Sequence, residues 1–419
     1  MLDKKSHETL TLTKKHPKGV HKKSEKNICH RAIQSLYILL TFVIIIFICG
    51  CKKRKCSEWE FIGKFSEGIT WAEDSTGKRY AIDKTGKVLF LSQWKVCHMF
   101  SEGMSGVKDD DSGKWGFIDK TGKVVIPCQW DSVVWFNDGM AMVRDHGKWG
   151  FIDKNGKLVV PCKWKSVDWF FDDMAGVMDD NEKWGYIDKS GRVVIPCLYD
   201  YAYPFSEGMT GVEDSKGKWG FIDKSGKLVI PFQWRFVRSF HEGLAEVTDD
   251  RLKGGFIDKS GKLVIPCQWE YANKFSEGLA CVQNDKEMCG FIDKTGKVVI
   301  PYQWEAAGDF SEGLANVMDD NGKWGFIDKT GKVVIPCQWL DADEFSEGLA
   351  EVEECVDNYE WGYIDKTGKL VIPCQWDTTR KFHEGLAMVL SEHDKEKSGY
   401  IDKTGKVVLH CDWVIMLED

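Results

Sequence analysis

The chain is short of the local patterns that carry chemistry. None of its fifteen cysteines forms a Cys-x-x-Cys or a Cys/His pair at zinc spacing, which removes the usual structural zinc modules. Its ten histidines are not placed consistently, no Ser/His/Asp set stands out, and no glycine-rich phosphate loop is present. Nucleophilic hydrolysis and nucleotide-dependent chemistry therefore have no visible base or phosphate cradle. No catalytic residue, metal or cofactor is expected.

Positive charge is scarce over most of the chain. Thirteen of the 57 basic residues but only three of the 65 acidic ones lie in residues 1–56, so residues 57–419 carry a net charge of about −18. An acidic body of that size is a poor partner for phosphate backbones, and nucleic acid is not expected as a ligand. Long apolar runs are also few. The strongest spans Leu36 to Cys51, without charge and preceded by the basic head from Lys4 to Arg31. A basic head before an apolar stretch is the pattern of an export signal.

What is abundant is glycine, at 41 residues, and tryptophan, at 19. That pairing suggests many turns between many short strands. The tripeptide Ile-Asp-Lys recurs with its aspartate at Asp83, Asp119, Asp153, Asp188, Asp223, Asp258, Asp293, Asp328, Asp365 and Asp402, at spacings of 34 to 37 residues. Such a period marks a repeat array.

One unit reads from Trp324 as WGFIDKTGKVVIPCQW, then the variable LDADE, then FSEGLAEV. Alternation over Trp324–Asp328 predicts a first strand. The β-branched run up to Pro336 predicts a second that stops at the proline, and Leu349–Val352 predicts a third. The glycine of Asp-Lys-Thr-Gly, present in all ten copies from Gly86 to Gly405, fits the positive φ of a type I turn with a bulge. A unit of this length cannot bury a core alone and must stack on its neighbours. The first copy has Tyr80-Ala81-Ile82 in place of Trp-Gly-Phe-Ile and the last has Leu409-His410-Cys411 for Ile-Pro-Cys, departures that suit end caps. The expected fold is an all-β tandem array of about ten three-stranded repeats of roughly 35 residues, stacked in an open curve, with a β-propeller as the alternative.

Six copies carry Trp-Gly outright, at Trp115, Trp149, Trp184, Trp219, Trp324 and Trp361; Gly254-Gly255, Cys289-Gly290 and Ser398-Gly399 keep only the glycine. With the later Phe-x-Glu-Gly-hydrophobic-Ala-x-Val, the chain resembles the bacterial WG-repeat family from about residue 58 to 415. The resemblance implies a repeat module with no enzymatic activity attached to the repeat itself. Separately, Ile48-Cys49-Gly50-Cys51 resembles a bacterial lipobox, which implies lipidation of Cys51; an uncleaved membrane anchor is the competing reading. Residues 1–56 are thus taken as basic head, signal or anchor and linker, and 57–419 as the array, placed outside the cytoplasmic membrane.

Recurring groups are weighed as architecture first. Seven cysteines, from Cys128 to Cys411, share one slot that holds Phe232 and Tyr302 in two other copies, so the slot is an apolar packing position. Cys281 and Cys289, flanking one turn, are the best-placed exception. The carboxylate before glycine in every copy reads as turn chemistry, and the Asp-rich turns lack the spaced ligands of a calcium loop. The tryptophan before glycine is expected in the core; the one after the second strand could fill the stack or line a face.

The framework repeats while the segment after the second-strand Trp does not: DSVVW, KSVDW, DYAYP, RFVRS, EYANK, EAAGD, LDADE, DTTRK. Repeat proteins place such variation on a binding face. Trp234, Arg235, Phe236 and Arg238 gather aromatic and guanidinium groups in an acidic array, and are the candidate ligand-binding residues. The partner is expected to be a protein or glycan, with a membrane-tethered spacer as the alternative role.

Overall fold

A computed structural model describes residues 59–354, 360–392 and 397–413. The export or anchor segment and Cys51 lie outside them. Among the described residues no helix is long and apolar enough to cross a membrane.

The described residues form forty strands in ten antiparallel four-stranded units, here blades 1 to 10. Blade 8 is representative, with strand a at Ala306–Ala307, b at Leu314–Met318, c at Trp324–Asp328 and d at Val333–Trp339. Strands a and b are joined at Ser311-Glu312-Gly313-Leu314. Glu312 and Gly313 both have positive φ, 52° and 89°, the signature of a two-residue type I′ hairpin turn. Strands c and d are joined at Asp328–Lys332. There Asp328 Oδ1 accepts bonds from the Thr330 amide and hydroxyl and from the Lys332 amide, and Gly331 takes the left-handed position at φ 83°.

The glycine after each tryptophan has a different cause. Its φ is ordinary, but a Cβ at Gly325 would sit 2.5 Å from the Ile335 carbonyl oxygen. Strand d crosses so close to strand c there that no side chain fits, and the register shifts at that point. Gly255 and Gly290 meet the same carbonyl at 2.7 and 2.8 Å. The glycine therefore persists in copies that have lost the tryptophan.

Blades pack face to face through a repeated set of contacts. The aromatic ring of strand c in one blade meets, edge on, the Phe of the Phe-x-Glu-Gly motif in the next: Phe256 with Phe275 at 4.9 Å, Phe291 with Phe310 at 5.0 Å. The residue in the cysteine slot packs with the strand-d tryptophan of the preceding blade. Cys337 lies against the cluster that holds Trp304, and Tyr302 receives a 2.6 Å hydrogen bond from the Trp269 indole. The glutamate of the a–b turn reaches forward to the next blade. Glu277 accepts from the Gly313 amide at 3.1 Å and pairs with Lys329 at 3.0 Å.

The same contacts join the last blade to the first. Tyr400 meets Phe65 edge on at 5.0 Å and donates its hydroxyl hydrogen to the Gly63 carbonyl at 2.8 Å. Glu384 accepts from the Glu67 and Gly68 amides and pairs with Lys84 at 2.9 Å. Strand a of blade 1, Trp59–Ile62, runs parallel to the end of strand d in blade 10. Leu409 and Cys411 share one buried cluster with Trp59, Ile62 and Phe65.

The all-β tandem array of about ten repeats is thus the fold, and three details differ from expectation. Each unit has four strands, because the segment before strand b supplies a short strand a, 2 residues long in seven blades, 4 in blade 1 and 6 in blades 3 and 4. Strand d runs through its proline to the tryptophan; it is a sheet edge, where the missing N–H costs no ladder bond. The stack is closed, as in a propeller, and the atypical end repeats are complementary halves of a seam rather than caps. The tryptophans also reverse. Those of strand d, such as Trp269, Trp339 and Trp376, are buried, while most of those before glycine are only half-buried.

Closure makes a stability prediction. Phe65→Ala at the seam should cost about as much as Phe275→Ala at an internal junction, roughly 3–5 kcal/mol each by chemical denaturation. A seam cost below about 1 kcal/mol, typical of exposed positions, would show the array to be open.

Candidate functional site

In blades with a two-residue strand a, three side-chain positions adjoin one another: the residue before the strand-c glycine, the third residue of strand b, and the residue after strand a. Blade 5 fills them with Trp219, Gly211 and Tyr203. The two rings stack at 4.9 Å, and a Cβ on Gly211 would lie 3.3 Å from the tyrosine. Blade 2 uses Trp115, Gly106 and His98, rings 4.4 Å apart. In both, a small residue on strand b makes room for a stacked pair.

Blades 6 and 7 depart from this. Gly254 replaces the tryptophan in blade 6, and strand b contributes Glu246, buried and paired with the Arg238 guanidinium at 2.9 Å. Cys289 replaces it in blade 7, against the buried Cys281; both thiols are free. Over these two blades lies a cleft of about 510 Å³ lined by Tyr203, Phe236, Arg238, Ser239, His241, Asn273, Lys274 and Asp309. A volume of this order falls in the range of small-molecule sites.

The cleft gathers residues from four consecutive repeats. Seven of its eight lining residues belong to the variable segments, His241 being the exception. Strand alternation explains which of the candidate residues reach it. Phe236 and Arg238 share the face opposite the buried Val237 and line the cleft. Trp234 ends strand d and packs, half-buried, against the cluster around Phe221 and Phe240, and Arg235 is exposed outside the lining. Asn273, Lys274 and Asp309 escaped sequence reasoning because they stand about one and two repeats away from Arg238. The available signal was the loss of tryptophan in two adjacent copies.

Charge in and under the cleft is nearly balanced. Burial pushes the Glu246 carboxyl up to about 7 against the pull of Arg238. Burial also raises Asp309, opposed by the charge of Lys274, and Asp309 Oδ1 has no hydrogen-bond partner. In blade 9, Glu351 holds the position of Glu246 and is likewise pushed up to about 7 by burial.

Other recurring groups are committed to the scaffold. Glu242 and Glu347 are partly buried, which alone would raise them, yet their lysine partners and the next blade's amides hold them below the ordinary value. Burial pushes the Cys162, Cys197 and Cys267 thiols up to about 11, and Cys374 up to about 12, far from the range of a reactive thiolate. Among the described residues no group of three or more His, Cys, Asp or Glu is placed to hold a metal.

The family model described as "WG containing repeat" matches residues 81–112, 115–149, 149–182, 184–219, 219–250, 255–287, 290–324, 324–354 and 361–392. No curated protein matches the chain. Among solved structures, the computationally designed Ika8 protein is similar at 12% identity and TM-score 0.33, over 66% of this chain and 98% of that one. BamB from Moraxella catarrhalis is similar at 10% identity and TM-score 0.32, over 63% and 95%. PorZ of Porphyromonas gingivalis is similar at 10% identity and TM-score 0.25, over 83% and 59%. Likenesses this weak carry nothing about function.

The buried glutamates give a pH prediction. Their folded pKa lies above the ordinary value of 4.5, so the folded protein holds these protons more tightly than the unfolded chain. The resulting stabilisation is complete below about pH 4.5 and is lost as pH rises through about 7. Denaturation of the Glu246→Gln, Glu351→Gln double variant should show a flatter loss of stability across that window. An unchanged slope would mean that neither carboxyl titrates there.

Proposed function

From the premise that the chain belongs to the WG-repeat family, we propose that it is a non-catalytic interaction module whose binding face is the cleft over blades 5 to 8. One observation carries this reading: the cleft is built almost wholly from the segments that vary between repeats, on a framework whose recurring turn carboxylates already bond within or between blades. An enzyme would need a base, nucleophile or metal centre, and the recurring carboxylates and thiols are engaged in turns, inter-blade bonds and packing. We further propose that the module is held at a membrane through residues 36–51, with the ring on the extracytoplasmic side. The basic head, the apolar run and the lipobox-like Ile48-Cys49-Gly50-Cys51 support that placement.

Binding is tested by capture of cell-surface material on the immobilised protein, with Phe236→Ala/Arg238→Ala compared against Trp135→Ala in blade 3. The cleft variant should lose most of the capture, with circular dichroism confirming that it folds; because Arg238→Ala leaves the buried Glu246 without its partner and lowers the denaturation midpoint, Phe236→Ala alone is the variant that keeps that pair intact. If exchanging every variable segment between blades leaves capture intact, the protein is a spacer.

Anchoring is tested by mass spectrometry of the amino terminus of the protein taken from membranes. A lipid-modified Cys51 as first residue is expected. An intact, unmodified peptide spanning residues 30–55 would establish a spanning anchor instead.

A further inference from the structure

We infer that the cleft over blades 5 to 8 takes an uncharged saccharide, an inference that rests on the interaction-module reading and names its ligand class. Three features of the lining point to this chemistry. The first is apolar. Phe236 is 40% exposed and meets Trp219 and Tyr203 in edge contacts at 5.9 and 6.4 Å, while Tyr203 stacks on Trp219. Tyr201, 48% exposed, meets Tyr203 edge on at 5.5 Å and continues the aromatic surface beyond the cleft. Rings held by one another in this way are rigid platforms that lose little side-chain entropy on binding.

The second feature is a rim of groups suited to hydroxyls. Ser239, Asn273 and His241 offer both donors and acceptors, Arg238 and Lys274 donate, and Asp309 accepts. Asp309 Oδ1 is buried in the free protein without a hydrogen-bond partner. Asn273 Oδ1 is engaged by the Tyr271 hydroxyl at 2.8 Å, which holds its amide in place.

The third feature is charge. A site for phosphate, sulfate or an acidic chain needs cations in excess. Here Arg238 is paired with Glu246 at 2.9 Å, and the charge of Lys274 acts on Asp309. Each cation has an acidic group of the protein beside it, so above about pH 7, where Glu246 is ionised, an anionic ligand would meet a site already neutralised. A ligand with one apolar face, a periphery of hydroxyls and no charge is a pyranose. The aromatic surface leading out through Tyr201 suits a chain of such rings rather than a single one.

The test is calorimetric titration of the full chain with neutral hexose and N-acetylhexosamine oligosaccharides of about six units, with heparin as the polyanionic probe. Saturable binding of a neutral oligosaccharide is expected. Phe236→Ala and Asp309→Asn should each weaken it about tenfold, the scale of one aromatic or buried hydrogen-bond contact. Trp135→Ala, two blades from the nearest cleft residue, should leave it unchanged, with circular dichroism and denaturation confirming that all variants fold. Three outcomes overturn the inference. If heparin binds and neutral sugars do not, the ligand class is wrong. If no sugar binds while cleft variants still abolish capture of surface material, the saccharide fails and the interaction module stands. If neither sugar binding nor capture depends on the cleft, both readings fall together.

Discussion

Every blade has to bury two faces, and only its neighbours can cover them. A four-stranded sheet with strands b and c buried on both sides has no core of its own. Its stability comes from the junctions, where Phe291 of one blade meets Phe310 of the next and Glu277 reaches Gly313 and Lys329. An open array would leave one apolar face bare at each end. Closure removes both, and the seam reuses the internal chemistry: Tyr400 against Phe65, Glu384 against Gly68 and Lys84. The atypical residues of the first and last copies follow from this. Tyr80 and Leu409 pack with the cluster around Trp59 that fills the seam.

Much of this was legible along the chain because its causes are local. The Asp-Lys-Thr-Gly turn announces itself by a side chain that bonds its own backbone and a glycine at positive φ. What stayed hidden has non-local causes. A two-residue strand such as Ala306–Ala307 carries no periodicity, so the fourth strand could not be read. Ring closure depends on the small rotation accumulated over ten junctions, and an end repeat looks atypical whether it caps a stack or meets its opposite end. The Trp-Gly pair invited a single explanation for two facts. The glycine is required by the approach of strand d at Gly325, whereas the indole is merely well placed and is dispensable, as Gly254 and Cys289 show.

The site was half legible for a related reason. Variation over a constant framework marked the right segments, and alternation then divided them. Phe236 and Arg238 face the cleft; Trp234 belongs to the packing between blades. No reading of one repeat could place Lys274 and Asp309 beside Arg238. They meet because equivalent positions of successive blades are neighbours in space, which follows from the stacking and not from any spacing within a unit.

The repetition also constrains where recognition can arise. In a ring of near-identical units the recurring donors and acceptors pair with one another: the Asp328 carboxylate with its own turn, Glu277 with the next blade, Ser276 with the Phe310 carbonyl. Those groups hold the scaffold, and drawing one away would weaken a turn or a junction. Specificity must therefore come from positions the junctions do not need. Strand a and the residues after it are such positions, since only Val237 or its equivalent has to be buried there. Where two adjacent blades also lose the stacked indole, to Gly254 and Cys289, and place Glu246 and Cys281 on strand b beside it, the unmatched groups become contiguous, and the cleft over blades 5 to 8 follows.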